Sequence, residues 1–304
     1  MKTLLSVEIR RLGARKLLRW LTVLAILGAV IAGTSAFFAS DNSEAKVAQV
    51  ELQHEADVAS CISQVRNGTW AGGETLPSRA IGDPRGYCED EVWSEDPRFR
   101  YEDMTWILGT LGFPLVMLAW LLGASSVGAE WQSRGITTSL TWEPRRGRVL
   151  VAKLVAATTI AFVWVVLLQL VFAVLMYPAA AFRGTMEGVD PAWVTDTATM
   201  VLRIGAGASL AAAFGMALAT IGRNTAAAFG AGFAYLTVVE GLIRGLKPAW
   251  DDWLIGDNLA LFIIGPEDVT HIARSQIGAG LLVLGYALAL AWAALIMFRR
   301  REIV

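Results

Sequence analysis

Three groups of residues in this 304-residue chain carry chemistry that could do something specific. Cys61 and Cys88 are its two cysteines and stand 27 residues apart in one polar segment. In an oxidising compartment they are expected to bond, which would constrain the unfolded chain by roughly 3–4 kcal/mol in the loop-entropy account. In a reducing one they are two unpaired thiols. Arg203 and Glu240 each interrupt a long apolar run. Charge inside hydrocarbon is costly, so such groups face protein or water. They read as a polar site on a translocation path, as an Arg203–Glu240 pair joining two helices, or as side chains that snorkel to the nearer membrane surface. The third group is the stretch 128–153, GAEWQSRGITTSLTWEPRRGRVLVAK, where Arg134, Arg145, Arg146, Arg148 and Lys153 are opposed only by Glu130 and Glu143.

Other chemistry is missing from the sequence. There is no G-x-x-x-x-G-K-[ST] phosphate loop, no H-E-x-x-H pair and no G-x-S-x-G elbow. The two histidines, His54 and His271, lie far apart, and no cysteine–histidine spacing fits zinc. We therefore expect no catalytic site, no metal and no cofactor in this chain.

The elements that must position the three groups are membrane spans. The chain is 55% hydrophobic and 17% charged, with a mean hydropathy of +0.50. Soluble domains carry about 25% charged residues, so these values describe an all-α polytopic membrane protein. Six spans are expected, over 20–38, 106–127, 154–177, 197–221, 225–242 and 275–298. The first, 19 residues without a charge, is long enough to cross hydrocarbon and too long for the apolar core of a signal peptide, which runs about 7–15 residues. Before it, 1–19 holds six basic residues against Glu8 alone, with Leu4, Leu5, Leu12, Leu17 and Leu18 among them. This reads as an amphipathic helix lying on the membrane surface.

Between the first two spans, 40–103 holds 14 acids and 6 basic residues, a net charge of −8. A helix is expected over 44–66, extending the first span outward, and a glycine- and proline-rich loop over 67–97. In the fourth span Gly207, Ala211, Gly215 and Ala219 recur every four residues, a ridge that lets another helix approach closely. The segment 243–274 contains an apolar run too short to cross, 254–265, and reads as re-entrant. Basic residues number 15 in the segments placed inside and 10 in the longer ones placed outside, which also carry 22 acids. Both termini are therefore expected in the cytoplasm, with 40–103 outside and 299–304 as an inner tail.

The order of residues in 128–153 resembles the first cytoplasmic loop of ABC-2-type exporter permeases. Glu130 leaves a span, Arg134-Gly135 follows, then a mixed run to Trp142, then Pro144-Arg145-Arg146, and Lys153 opens the next span. The amphipathic start, the six-span order and the broken outer segment extend the resemblance over nearly the whole chain. It implies a permease whose ATPase, with its ATP and magnesium, is a separate subunit in two copies. It further implies a dimer with a second copy or a homologous permease. The loop would hold a coupling helix, with Glu130, Arg134, Gly135, Pro144, Arg145, Arg146 and Arg148 at the ATPase contact. The acidic segment 40–103 departs from short-looped polysaccharide exporters and fits the drug, antibiotic and sodium-efflux branch. A bacterial plasma-membrane protein is expected, with membrane lipid as a partner and no nucleic acid. The alternatives are a membrane sensor with a ligand-binding outer segment and an ion-driven secondary transporter.

Overall fold

A computed structural model describes residues 2–67, 78–92, 96–133, 135–136, 141, 143–266, 269 and 271–300. Arg134 and the tail 301–304 lie outside the described residues. The chain is helical: α1 Lys2–Gly13, α2 Lys16–Ala39, α3 Glu44–Asn67, α4 Ser78–Gly82, α5 Pro84–Glu91, α6 Met104–Gln132, α7 Arg146–Arg183, α8 Pro191–Gly222, α9 Thr225–Leu246, α10 Ile255–Ile264 and α11 Gln276–Arg300. No β-strand occurs among the described residues, only an isolated bridge between Arg100 and Thr185. Six helices, α2, α6, α7, α8, α9 and α11, are long and apolar enough to cross a membrane.

Several boundaries differ from the sequence reading. Helix α6 continues through Pro114 to Gln132, and α7 begins at Arg146. Both ends of the stretch read as a loop over 128–153, residues 128–132 and 146–153, are therefore helical. Strong helix formers and charged residues continue a span freely once it leaves hydrocarbon. At 38 residues α7 is about 57 Å long at about 1.5 Å per residue, far more than the bilayer core needs. Ninth in order, α9 is α-helical to Ala234, π-helical over Tyr235–Val239 and α-helical again from Glu240.

The chain divides into two compact units. The larger comprises Met1–Gly28, Asp103–Ala173 and Asp190–Val304. Its centre is α8, 72% of whose apolar window is buried against 11% for α2. Helices α6 and α8 make an extensive contact, and small residues on both make it possible. A Cβ at Gly123 would overlap the Ala212 carbonyl, and one at Gly215 the Trp120 carbonyl. The ridge on α8 changes partner along its length. Gly207 meets Ile263 and Leu259 of α10, Gly215 meets α6, and Ala219 packs with Ala124 and Ala228. Helix α8 starts at Pro191 with the Asp190 carboxylate accepting from Trp193 N at 2.7 Å, a proline-led cap. It ends at Arg223, whose φ of 55° is left-handed, and Asn224 then caps α9 by accepting from Ala226 N at 2.8 Å.

The apolar run in 243–274 forms α10, with Asn258, Leu261 and Ile263 buried against its neighbours. It packs on α8 and α11 within the larger unit. It is short, and Gln276 Nε2 donates to its Phe262 carbonyl at 3.2 Å.

The smaller unit comprises Ala29–Glu102 and Val174–Val189. Here α3 does not extend α2: residues 40–43 break the helix. Ser40 explains the break, because its Oγ donates to Arg183 O at 2.6 Å and accepts from Phe99 N at 2.8 Å. The expected loop over 67–97 contains α4 and α5. Asp83 and Pro84 nucleate α5, the carboxylate accepting from Gly86 N at 3.1 Å. Cys61 and Cys88 are bonded, with Cα atoms 5.9 Å apart, inside a small core of Val58, Val65 and Ala80.

The α6–α8 contact makes a direct prediction. Gly215→Leu forces bulk against backbone and should cost at least about 1–3 kcal/mol, read as a lower unfolding temperature and lower monodisperse yield. Gly28→Leu has open space at the site and should stay within about 0.5 kcal/mol of the unmodified chain.

Candidate functional site

Glu8 falls four residues from Leu4 and Leu12, so it occupies the apolar stripe of α1. Glu130 lies in the last turn of α6 and Lys153 in the third turn of α7. The structure brings all three together. Lys153 Nζ donates to Glu8 Oε1 and Oε2 at 3.0 and 2.9 Å and to Glu130 Oε1 at 2.8 Å. The side chains are 3%, 6% and 9% exposed for Lys153, Glu8 and Glu130. Two arginines complete the group. Arg11 approaches Glu8 at 3.5 Å and Glu130 at 3.8 Å. Arg15 reaches Glu130 at 4.0 Å while its guanidinium donates to the carbonyls of Ser125 and Ser126 at 2.7 and 3.0 Å. Burial lowers the pKa of Arg15 and the Glu130 carboxylate acts against that shift; a guanidinium stays charged throughout.

Three cations face two carboxylates, so each acid has a counter-ion and the cluster as a whole is not anionic. Such a cluster costs desolvation and regains it through close pairing. Apolar packing frames it. Leu5, Ile9 and Leu12 of α1 pack with Val127, Ile136, Leu150 and Phe298. Part of the apolar face of α1 is therefore covered by protein, while Val7 stays exposed. Trp131 meets Phe298 edge-on at 6.1 Å and lies under the Arg223 guanidinium at 5.2 Å.

The expected partner-contact residues fall into two sets. Glu130 is buried, with Oε1 accepting from Lys153 within the chain. Pro144, Arg145 and Arg148 are exposed, Gly135 and Arg146 half-buried. Pro144 and Arg145 lie in the non-helical link just before α7. Glu8 and Lys153 were missed as a pair by the sequence reading. The signal was available: one acid on the apolar stripe of an otherwise basic helix calls for a buried cation.

Arg203 and Glu240 are not brought together. Arg203 is half-buried on α8 and has no ion-pair partner among the described residues. Glu240 is 1% exposed; its Oε1 accepts from Gly256 N at 2.8 Å and its Oε2 from Arg244 at 3.1 Å. Arg244 bridges onward to Asp257 at 2.6 Å. This second cluster fastens α9 to α10 and is a helix-joining device made with a cation on its own helix. No group of three or more His, Cys, Asp or Glu side chains arranged to hold a metal occurs among the described residues.

Removing the central cation tests the first cluster. Lys153→Met leaves two carboxylates buried beside fewer cations and should cost about 3–5 kcal/mol, measured by denaturant unfolding in micelles. Proteolysis at α1 should accelerate in the same variant. Arg85→Ala, which breaks an exposed pair with Glu89, should leave the transition where it is.

The helices, the charged junction and the basic link can be set beside known proteins. Searches of curated proteins and of solved structures found no match. A family model described as ABC-2 family transporter protein matches residues 3–302, nearly the whole chain. It spans α1, the six apolar helices and the junction between them, and this chain is a membrane protein belonging to the ABC-2 transporter family.

Proposed function

We propose that this chain is the membrane-spanning permease of an ATP-driven exporter. It works as a dimer, with itself or with a homologous permease, in a bacterial plasma membrane. Two copies of a separate ATPase subunit, which bind the ATP and magnesium, drive it from the cytoplasmic side. The observation that carries this reading is the ion-bridged junction. Lys153 ties the starts of the chain and of α7 to the end of α6, beside the link that exposes Pro144 and Arg145. With no phosphate loop in the sequence, work must enter through a surface that another protein can push.

The junction gives that push a route. A protein seated on the link moves the C-terminal end of α6 and the N-terminal end of α7. Because Lys153 holds Glu8 and Glu130 together, α1 moves with them as one body. Export then requires the nucleotide state of the ATPase to favour one access state over another. Glu130 acts as a positioning residue within this body, and Pro144 and Arg145 make the contact. The arrangement of charge supports a cytoplasmic location for this end, since basic residues flank α1, the link, the turn at Arg223 and the end of α11. The acidic segment 40–103 would then lie outside, in keeping with the drug, antibiotic and sodium-efflux branch.

Two measurements test this. Arg145→Glu should weaken retention of the ATPase subunit in a quantified pull-down by about tenfold, about 1.4 kcal/mol, and lower substrate-stimulated ATP hydrolysis while insertion stays normal. Unchanged retention would move the contact elsewhere. An ATPase that does not bind the unmodified chain would remove the exporter reading and favour a membrane sensor. For the topology, an impermeant thiol reagent on intact cells should label Cys61 and Cys88 only after reductant. Labelling that requires opening the cytoplasm would invert the assignment.

A further inference from the structure

We propose that the groove between α7 and α11 is a binding site for one anionic phospholipid. Its acyl chain lies along the groove, and its phosphate is held by Arg148, Arg299 and Arg300. The groove has a volume of ≈ 590 Å³. Its walls are Leu150, Val151 and Leu154 on α7 and Leu288, Trp292 and Leu295 on α11. They are apolar throughout, and Trp292 is 66% exposed along the open side.

One end of this groove is basic. Arg148 is three residues from Val151, and Arg299 is four from Leu295, so each arginine sits one turn beyond a groove residue on the same helix face. The Arg299 guanidinium lies across Gly147. A Cβ at that glycine would stand 2.7 Å from Nη2 and 2.9 Å from Nε. Any side chain there would occupy the place of the guanidinium, so glycine at 147 admits Arg299 over the first turn of α7. That turn contains no acid, and a helix N-terminus carries positive partial charge of its own. Arg148, Arg299 and Arg300 have no ion-pair partner among the described residues. Glu143, just upstream, accepts from Arg145 N at 3.2 Å, but one carboxylate is outnumbered by the cations gathered at this positive helix end, which raise the local potential and favour an anion.

Charge and groove together specify the occupant. A free phosphate would answer the arginines and leave the groove uncovered. An uncharged lipid would fill the groove and leave the arginines unanswered. Arg299 and Arg300 end the last span, so their guanidinium groups stand at headgroup level while Trp292 and Leu288 stand at acyl level. The proposal rests on the membrane-spanning reading of α7 and α11. It does not rest on ATPase coupling, and its test uses the permease alone.

The full chain is reconstituted into phosphatidylcholine vesicles containing either phosphatidylglycerol or phosphatidylcholine with brominated acyl chains. Bromine quenches nearby tryptophan, and the Trp292 signal is the difference between the unmodified chain and Trp292→Phe. Quenching should reach half its maximum at a lower mole fraction of phosphatidylglycerol than of phosphatidylcholine, by about fivefold per engaged arginine. The preference should fall as salt rises and vanish in Arg148→Gln with Arg299→Gln. The corresponding Lys double variant should keep most of it, which separates charge from folding. Equal quenching by the two lipids would show ordinary boundary lipid and overturn the proposal. Loss of the preference on replacing part of the chloride by inorganic phosphate at constant ionic strength would make the arginines a free-anion site and overturn it too.

Discussion

The larger unit depends on two backbones coming within a carbonyl's reach of each other. In lipid, apolar side chains gain nothing by leaving one hydrocarbon for another, so helices associate through close packing. Helices α6 and α8 achieve this because Gly123 and Gly215 remove the atoms that would hold them apart. The same logic spreads outward from α8. Gly112 admits Ile204, Gly207 admits the side chains of α10, and Gly232 admits the ring of Trp120. Around this centre α2, α7 and α11 keep large apolar side chains exposed, as befits surfaces meant for lipid.

The ion-bridged junction solves a different problem. The small-residue contacts fix helices against each other at membrane depth but do nothing for the ends that leave it. There the chain uses charge, and uses it buried. Lys153 engages two acids from two other helices at distances of 2.8–3.0 Å. Buried pairing of this kind adds little net stability over an apolar replacement, and losing one partner is expensive. It therefore makes one arrangement of α1, α6 and α7 strongly preferred, which suits a piece that must move without deforming. Arg15 adds a backbone tie, donating to Ser125 and Ser126 carbonyls near the end of α6.

Much of this was legible from residue order. Apolar runs of span length and the paired cysteines have local signatures, and the structure contains six such helices and the Cys61–Cys88 bond. The four-residue ridge on α8 was visible for the same reason, although its three partners were not. What escaped the sequence was non-local. The glycines of α6 sit at irregular spacing, because each meets a different neighbour: Gly112 the side chain of Ile204, Gly123 the backbone of Ala212, Gly128 Thr225. Lys153 and Glu8 are 145 residues apart; the position of Glu8 calls for a cation, but nothing local says which one. Arg203 and Glu240 invited pairing by sign and depth, yet Arg244 lies one turn from Glu240 and reaches it first. Helices run past the expected spans where hydropathy stops but helix propensity does not, as at the two ends of α7.

The π-helical turn in α9 sets what its last two turns present. A π turn amounts to one extra residue accommodated inside an α-helix. Each residue of an α-helix advances the face by about 100°, so everything after Val239 is rotated by that much from where an uninterrupted helix would carry it. Glu240 is the first residue past the bulge, and its carboxylate reaches Gly256 N in this register. Straightened by one residue, the same helix would swing the acid away from α10 and toward hydrocarbon. The bulge is thus a phase correction: it lets α9 obey the small-residue packing of its first half and the polar docking of its second, two demands that no single helical register can meet.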